Sequence, residues 1–339
     1  MTRAIFKASF VNALCGLFIF FGNKAFGQED FKMEMPLRCT QNQDCWIVNY
    51  VDTDPTKGIS DYNCGKATYD QHKGTDIAIM NADVMRKGVE VLASAGGVVT
   101  GTRNNMRDID VNVGGGGTLV DGKECGNGVL IDHGDGWTTQ YCHMLSESVS
   151  VKKGDLVETG QVIGLVGLSG KTEFPHLHIQ VKHNEKVVDP FVGLSRKRKC
   201  GIGESPLWKS GALLSMLYEP SALYSAGFSS TTPNKRIARE GLYGGEVLFK
   251  KSPVIALWVD IFWVDPGDKL LFMITGPEGN RLMVHKTTIK KRSPRRFAFA
   301  GINRKRDEHW AKGPYVGEIR LVRQDTGEVH SVVKTINVR

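Results

Sequence analysis

Short apolar runs separated by turn residues dominate the chain from Gly74 onwards. Residues 89–94, 98–100 and 161–166 are such runs, and Gly-Gly or Lys-Gly-Asp turns lie between them. No stretch keeps a helical period over about ten residues, and short runs with frequent turns are typical of antiparallel strands. The pattern predicts an all-β domain of antiparallel sheet in residues 28–195, which begins with a loop-rich stretch.

A hairpin is the clearest local prediction within this domain. Residues 128–132 and 137–141 are strand-like, and the turn sequence HGDG separates them. Folding the chain back at this turn brings Cys125 about opposite Cys142, which predicts a cross-strand disulfide. Because successive strand residues point to opposite faces, we expect Tyr141 and His143 on one face and Cys142 on the other.

A second β-rich region follows in residues 245–339. Residues 254–264 are apolar except for Asp260, as in a buried strand, and two hairpin patterns follow them. Six or seven such strands predict a β-sandwich that resembles immunoglobulin-like modules. The basic run at 196–199 marks the boundary, so residues 196–244 are expected to be a connecting segment, with a short helix near residues 237–240.

Composition agrees with two globular domains and adds one clue about partners. The chain has 339 residues, of which 41% are hydrophobic and 24% charged. Its net charge of +8 suits an anionic partner such as a cell wall, although a solvated basic surface explains it equally well.

The first 27 residues predict a signal peptide. Arg3 and Lys7 precede an apolar run from Ala8 to Gly22, and small residues at 25 and 27 place cleavage after Gly27. An apolar run of about 15 residues is shorter than the roughly 20 that span a membrane, so we expect no stable span after cleavage. An uncleaved anchor is the alternative. Export to the periplasm or the extracellular space makes nucleic acid an improbable partner.

The cysteine count agrees with export. Of seven cysteines, Cys15 lies in the apolar run, and the other six form an even set, as expected of disulfides in an oxidising compartment. The pairing of the remaining four stays open: Cys39, Cys45, Cys64 and Cys200. The polar stretch from Arg103 to Lys123 contains Gly114–Gly117 but lacks the features of a phosphate-binding loop. We expect it to be a loop that borders the active-site cleft.

Five side chains in three short motifs carry the candidate chemistry: His72 and Asp76 in HKGTD, His143 in YCH, and His176 and His178 in HLH. In a strand, residues two apart share a face and lie about 6–7 Å apart. Gly74 is expected to let the backbone bend, so that His72 and Asp76 reach one ion. A catalytic zinc takes three such ligands and keeps one position for water, whose pKa it lowers to roughly 7.

Each motif alone is weak, because an isolated strand histidine is usually structural, but the combination favours a metal site. We interpret the other histidines as structural or surface residues: His133, His183, His285, His309 and His330.

The sequences around these motifs resemble the M23 family of zinc metallopeptidases, the lysostaphin-like or LytM group. Residues 72–76, 126–134, 139–143 and 174–178 carry the resemblance, which spans roughly residues 65–192. It implies an antiparallel fold with an active-site groove, and a zinc endopeptidase that hydrolyses peptide cross-links of bacterial peptidoglycan.

By this resemblance, one zinc ion per chain is held by His72, Asp76 and His178. His176 is the general base, and His143 stabilises the oxyanion. The segment before HLH departs from the family pattern: Glu173 and Phe174 stand where relatives commonly have a Ser/Thr-Gly-Pro-like stretch. We therefore expect altered specificity rather than lost activity.

Two alternatives stay open. A metal-free, degenerate module would bind the cell wall or regulate another hydrolase through a protein partner. A zinc endopeptidase acting on Gly-rich proteins would keep the chemistry but change the substrate.

Overall fold

The structure is a computed structural model that describes residues 1–2, 30–113 and 120–339. Nearly all of the predicted signal peptide, with Cys15, lies outside the described residues, and so does the glycine run Gly114–Gly117. Both therefore stay predictions. Lys32–Arg339 form one unit.

An antiparallel sheet carries the first part of the chain. The strands of this part are β1 (Cys45–Asn49), β2 (Thr75–Ile79), β3 (Glu90–Leu92), β4 (Gly97–Arg103), β5 (Asn127–Gly134), β6 (Trp137–Met144), β7 (Leu156–Val157), β8 (Val162–Leu165), β9 (His176–His183) and β10 (Lys186–Val187). The main sheet has the order β1-β2-β9-β6-β5-β4-β7, β10 pairs with β9, and β3 and β8 form a small separate sheet. The predicted antiparallel β fold is confirmed.

The β5–β6 hairpin forms where the sequence predicts it. Gly134 pairs with Trp137, so only Asp135 and Gly136 make the turn, with φ of 48° and 79°. Two consecutive positive φ values define the tight turn whose twist matches that of the flanking strands, and Asp-Gly tolerates them.

A β-sandwich forms the second part. Its strands are β11 (Ala222–Ser229), β12 (Val254–Val264), β13 (Lys269–Thr275), β14 (Arg281–Thr288), β15 (Ser293–Asn303), β16 (Gly313–Val322) and β17 (Val329–Val338). They build two antiparallel sheets, β11-β12-β15 and β14-β13-β16-β17. Leu257 and Ile261 of β12 share one core with Phe272 of β13 and Ile319 of β16. The sandwich is confirmed, and its likeness to immunoglobulin modules stays a prediction.

Strand pairing in the sandwich begins before residue 245, and the domain boundary itself stays a prediction. β11 lies inside the expected connecting segment, yet it pairs along β12 as a strand of the sandwich. β11 and β15 are both absent from the sequence prediction, because small and charged residues interrupt their apolar pattern. The sequence prediction also lacks β1, because the first residues were expected to be loop-rich although they contain the short apolar run CWIVN.

The two parts share an extensive contact. Trp263 Nε1 donates to Val48 O at 2.6 Å, and the rings of Trp46 and Tyr224 lie 6.2 Å apart, edge to face. All residues of β12 after Val254 are buried, which explains why the strand is apolar at every position but Asp260. One face of β12 lines the sandwich core, and Phe262 and Trp263 lie against the first part.

Three helices lie in the described parts of the chain: α1 (Ala82–Lys87), α2 (Ser210–Ser215) and α3 (Lys235–Glu240). The helix expected near residues 237–240 corresponds to α3. Each has six residues, so none of these helices could cross a bilayer.

Three disulfides join the six cysteines outside the predicted signal peptide. Cys125 and Cys142, the pair indicated by the hairpin, are bonded to each other. The pairs that the sequence left open are Cys39–Cys45 and Cys64–Cys200. The second of these links the segment before β2 to the chain after the sheet.

Asp189, two residues after β10, carries a buried carboxyl group. The residue is only 8% exposed. Its Oδ1 accepts a hydrogen bond from Phe191 N at 2.9 Å, whereas Oδ2 makes no hydrogen bond with the described residues. Burial raises the pKa of Asp189 to about 7, and the Phe191 N–H and the Arg196 cation offset this only in part.

This raised pKa predicts a loss of stability as pH rises. The folded state binds the Asp189 proton more tightly than the unfolded chain does. The contribution of this proton to the free energy of unfolding is therefore complete below about pH 4, and it is lost progressively as the pH rises to about 7. Asp189→Asn mimics the protonated form. As the pH rises from 5 to 8, the free energy of unfolding in urea should fall in the parent protein by on the order of 3 kcal/mol more than in the variant. Parallel pH dependences of the two proteins would contradict the assignment.

Candidate metal centre

Three ligand-type atoms converge on one face of the main sheet. Asp76 in β2 pairs directly with His178 in β9, so their side chains project from the same face. His72, in the loop before β2, brings Nε2 to 3.2 Å from Asp76 Oδ1 and 3.2 Å from His178 Nδ1. Asp76 Oδ1 and His178 Nδ1 are 2.7 Å apart.

Neighbouring groups fix the orientation of these ligands. His72 Nδ1 lies 2.7 Å from Tyr50 O. A carbonyl oxygen only accepts, so Nδ1 carries the proton and Nε2 presents a lone pair. Asp76 Oδ2 accepts from Asn49 Nδ2 at 2.8 Å, which leaves Oδ1 for the cluster. Partners of this kind hold metal ligands in place in proteins.

Charge within the cluster favours the ligating form of the carboxylate. Burial opposes ionisation of Asp76, but the adjacent imidazoles, His72 first, hold its pKa well below the usual range. Burial disfavours a charge on His72, yet Asp76 beside it raises the pKa of His72. For His178, burial is the largest influence and lowers the pKa. Asp76 therefore remains an anion, as ligation requires.

The donor set fits a zinc ion. Two imidazole nitrogens and one carboxylate oxygen are common zinc ligands, and ligand distances of about 2.0–2.2 Å put the donor atoms of a tetrahedral site roughly 3.3 Å apart. The separations here are 2.7–3.2 Å. A lone pair on His72 Nε2 faces a carboxylate oxygen, a juxtaposition that a shared cation stabilises. His72, Asp76 and His178 are thus the residues that could hold the metal.

Two further imidazoles lie beside the cluster. His176 Nδ1 donates to Phe174 O at 2.9 Å, and its Nε2 lies 3.5 Å from Asp76 Oδ1. His143 Nδ1 donates to Ser169 O at 2.8 Å, and its ring centre is 4.7 Å from that of His176. Burial, and then the neighbouring His176 and His178, lower the pKa of His143 well below its ordinary value. All five residues singled out from the sequence meet at one place.

The expected faces of β6 are wrong at its end. Tyr141 is fully buried and its hydroxyl accepts from Ser94 N, whereas His143 stands beside the cluster. Cys142 pairs directly with His178 and so lies on the same face as the site. The reason is local: His143 has φ of 62°, which breaks the alternation of an extended strand.

Gly74 acts through space rather than through a bend. Its φ lies outside the left-handed region, but a Cβ at this position would lie 2.6 Å from the His178 ring and 2.6 Å from Ile179 O. Only a residue without a side chain lets the loop approach β9 so closely. This close approach is what brings His72 to His178.

The remaining histidines do not join the cluster. His133 Nε2 lies 2.8 Å from Thr139 Oγ1 and Nδ1 lies 2.8 Å from Gly96 O, as in a structural residue. His285 and His330 lie on the sandwich. Sequence reasoning missed Asn49 and Thr172, which orient Asp76 and contact His176 Nδ1. The apolar run that ends at Asn49 was the available signal for the first, and no motif marks Thr172.

Comparison with known proteins agrees with this geometry. Residues 70–190 match the sequence profile of Peptidase family M23. This segment belongs to family M23. The M23 segment contains all five residues of the site.

Curated relatives are similar to this chain over the same region. Peptidoglycan DD-endopeptidase ShyA of Vibrio cholerae is 36% identical over 110 residues, which are 32% of this chain and 20% of ShyA. DD-carboxypeptidase/endopeptidase Mpg of Neisseria meningitidis is 33% identical over 125 residues, 36% of this chain and 23% of Mpg. The matched region spans about a fifth of the length of each relative.

A solved structure aligns with the chain as well. It is the catalytic domain of the prophage-encoded M23 protein EnpA from Enterococcus faecalis, at 23% identity and a TM-score of 0.30. The alignment covers 47% of this chain and 95% of that one.

Gly74→Ala should destabilise the metal-free protein. The added methyl group overlaps the His178 ring and a backbone oxygen, so one of them has to shift, at a cost of about 1–3 kcal/mol. Urea unfolding in the presence of a chelator measures this cost apart from any metal effect. Gly245→Ala is the matched control, because nothing lies within 4 Å of a Cβ there. Equal unfolding midpoints for both variants would contradict the close approach at Gly74.

Proposed function

We propose that this chain is an exported zinc metalloendopeptidase that hydrolyses peptide cross-links of bacterial peptidoglycan. The observation that carries the proposal is the convergence of His72 Nε2, Asp76 Oδ1 and His178 Nδ1 within 3.2 Å of one another, beside two more imidazoles. Three ligands with basic groups next to them are typical of a catalytic site, whereas structural zinc sites have four ligands.

The substrate class rests on the relatives. ShyA is named a peptidoglycan DD-endopeptidase, and Mpg is named a DD-carboxypeptidase/endopeptidase. The net charge of +8 suits an anionic envelope polymer, and three disulfides suit an oxidising compartment. Together these support a site of action in the periplasm or outside the cell.

His72, Asp76 and His178 would hold the metal. When bound, zinc supplies a Lewis acid for the scissile carbonyl and lowers the pKa of a coordinated water. Asn49 Nδ2 and Tyr50 O would hold two of the ligands, Asp76 and His72, in their binding orientation.

His176 accepts the proton of the attacking water in this proposal. Its Nδ1–H is engaged with Phe174 O, so in the neutral ring Nε2 carries the free lone pair, on the side of the cluster. His143 stabilises the negative charge that develops on the carbonyl oxygen. Nδ1 of His143 donates to Ser169 O, which fixes the orientation of the ring beside the cluster.

Histidine substitutions separate metal binding from catalysis. His178→Ala removes a ligand, so we expect loss of both zinc and turnover. His176→Ala and His143→Ala should keep about one zinc per chain and lower kcat by about 10²–10⁴-fold. Elemental analysis gives the zinc content, and mass analysis of products from purified sacculi gives turnover, with and without a chelator. His285→Ala, an exposed residue of the sandwich, is the control.

The same measurements decide against the proposal where it is wrong. Protein that holds no stoichiometric zinc, cleaves nothing and still binds sacculi would be a binding or regulatory module. Cleavage of Gly-rich peptides but not of defined muropeptides would assign the activity to a protein substrate. Unchanged turnover by His178→Ala would remove the metal assignment.

A further inference from the structure

We propose that Arg295, a residue of the sandwich, is a positioning residue for His176 in the M23 segment. The proposal rests on the proposed function, in which His176 is the general base. In this proposal, a residue of the second part of the chain helps to orient a catalytic side chain in the first part.

The segment Thr172–His176 is a tight local structure that aims the His176 ring. His176 Nδ1 donates to Phe174 O at 2.9 Å, and Thr172 Oγ1 lies 3.1 Å from the same nitrogen and 2.9 Å from Phe174 O. The Phe174 ring stacks on the His176 ring, with centres 4.6 Å apart and planes at 30°. A shift of Phe174 therefore moves both the acceptor of Nδ1 and the surface against which the imidazole rests.

Residues of the sandwich also contact Phe174. The Arg295 guanidinium lies 5.2 Å from the centre of the Phe174 ring, within the range of a cation–π contact. Arg295 Nη1 also donates to Glu173 O at 3.4 Å, and the Phe262 ring lies 4.9 Å from that of Phe174. One cation thus contacts the backbone and the ring of the segment that orients His176.

Arg295 is itself held by a buried network. Its Nε donates to Tyr224 Oη at 2.7 Å, and Tyr224 Oη donates to Asp260. Asp260, 1% exposed, also accepts from Arg239 Nε at 2.7 Å. The Arg295 side chain is only 10% exposed, so its direction is set by these partners rather than by solvent. Because the Arg295 side chain is fixed, the position of β15 determines where the guanidinium meets Glu173 and Phe174.

Arg292 provides a matched comparison. It also crosses from the sandwich to the first part, through a hydrogen bond to Lys66 O, and its guanidinium lies 4.7 Å from the Trp263 ring centre. No described contact joins it to residues 172–176. If the sandwich only docks, losing either arginine should have the same consequence. If Arg295 positions His176, only its loss should affect catalysis.

The experiment compares Arg295→Met, Arg295→Lys and Arg292→Met in the full, zinc-loaded chain. We expect Arg295→Met to lower kcat by about 10–100-fold, as small misplacements of catalytic groups do, with little change in KM or zinc content. Arg295→Lys keeps the cation and should recover part of the loss, whereas Arg292→Met should stay within about twofold of the parent. The Cε1–H signal of His176, assigned with His176→Gln, reports stacking independently of activity: it should move only in the Arg295 variants.

Two results would overturn the proposal. One is an Arg295→Met protein with the parent kcat, or with the same loss as Arg292→Met. The other is a His176 signal that does not respond to Arg295→Met. If the parent chain hydrolyses no muropeptide, the proposed function fails, and the His176 signal alone decides whether Arg295 positions the ring.

Discussion

The convergence of three lone pairs at one point is the constraint on which the arrangement of this protein depends. Two of the three ligands are set by the pairing of β2 with β9, which places Asp76 opposite His178. Leu177, Ile179 and Val181, between the polar residues of β9, are buried on the opposite face. A slip of one residue would exchange the two faces, so the hydrophobic pattern that fixes the core also aims the histidines. The alternation of side chains along β9 therefore places the apolar residues in the core and the histidines in the site.

His143 shows where that alternation ends. Its left-handed backbone costs roughly 1–2 kcal/mol for a residue with a side chain, and such a conformation persists where its surroundings determine it. Here His143 N donates to Cys125 O at 2.7 Å, and His143 O accepts from Gly167 N at 3.0 Å. The Cys125–Cys142 disulfide ties the same two segments together. The disulfide therefore lies at the point where the strand turns His143 towards the cluster.

The sequence alone predicts the parts that depend on short-range pattern. The five site residues, the β5–β6 hairpin and the apolar β12 each carry a local signal. The direction of His143 relative to Tyr141 and Cys142 could not be predicted, because it depends on the positive φ of His143, which no residue type dictates. β11 and β15 were not predicted for a different reason. Their local apolar pattern is weak, and it is their long-range pairing with β12 that makes them strands.

The burial of Asp260 argues that the sandwich is fixed against the first part of the chain rather than joined to it by a flexible tether. A carboxylate 1% exposed is tolerable only with paired cations, and Arg239 and Arg295 supply them on the face of β12 that lies towards the first part. A module that moved freely would expose Phe262 and Trp263 together with this charge network. The two positions at which the chain departs from the M23 pattern, Glu173 and Phe174, are the ones that Arg295 contacts. The unusual residues and the arginine that contacts them therefore occur together, in one interface between the two parts of the chain.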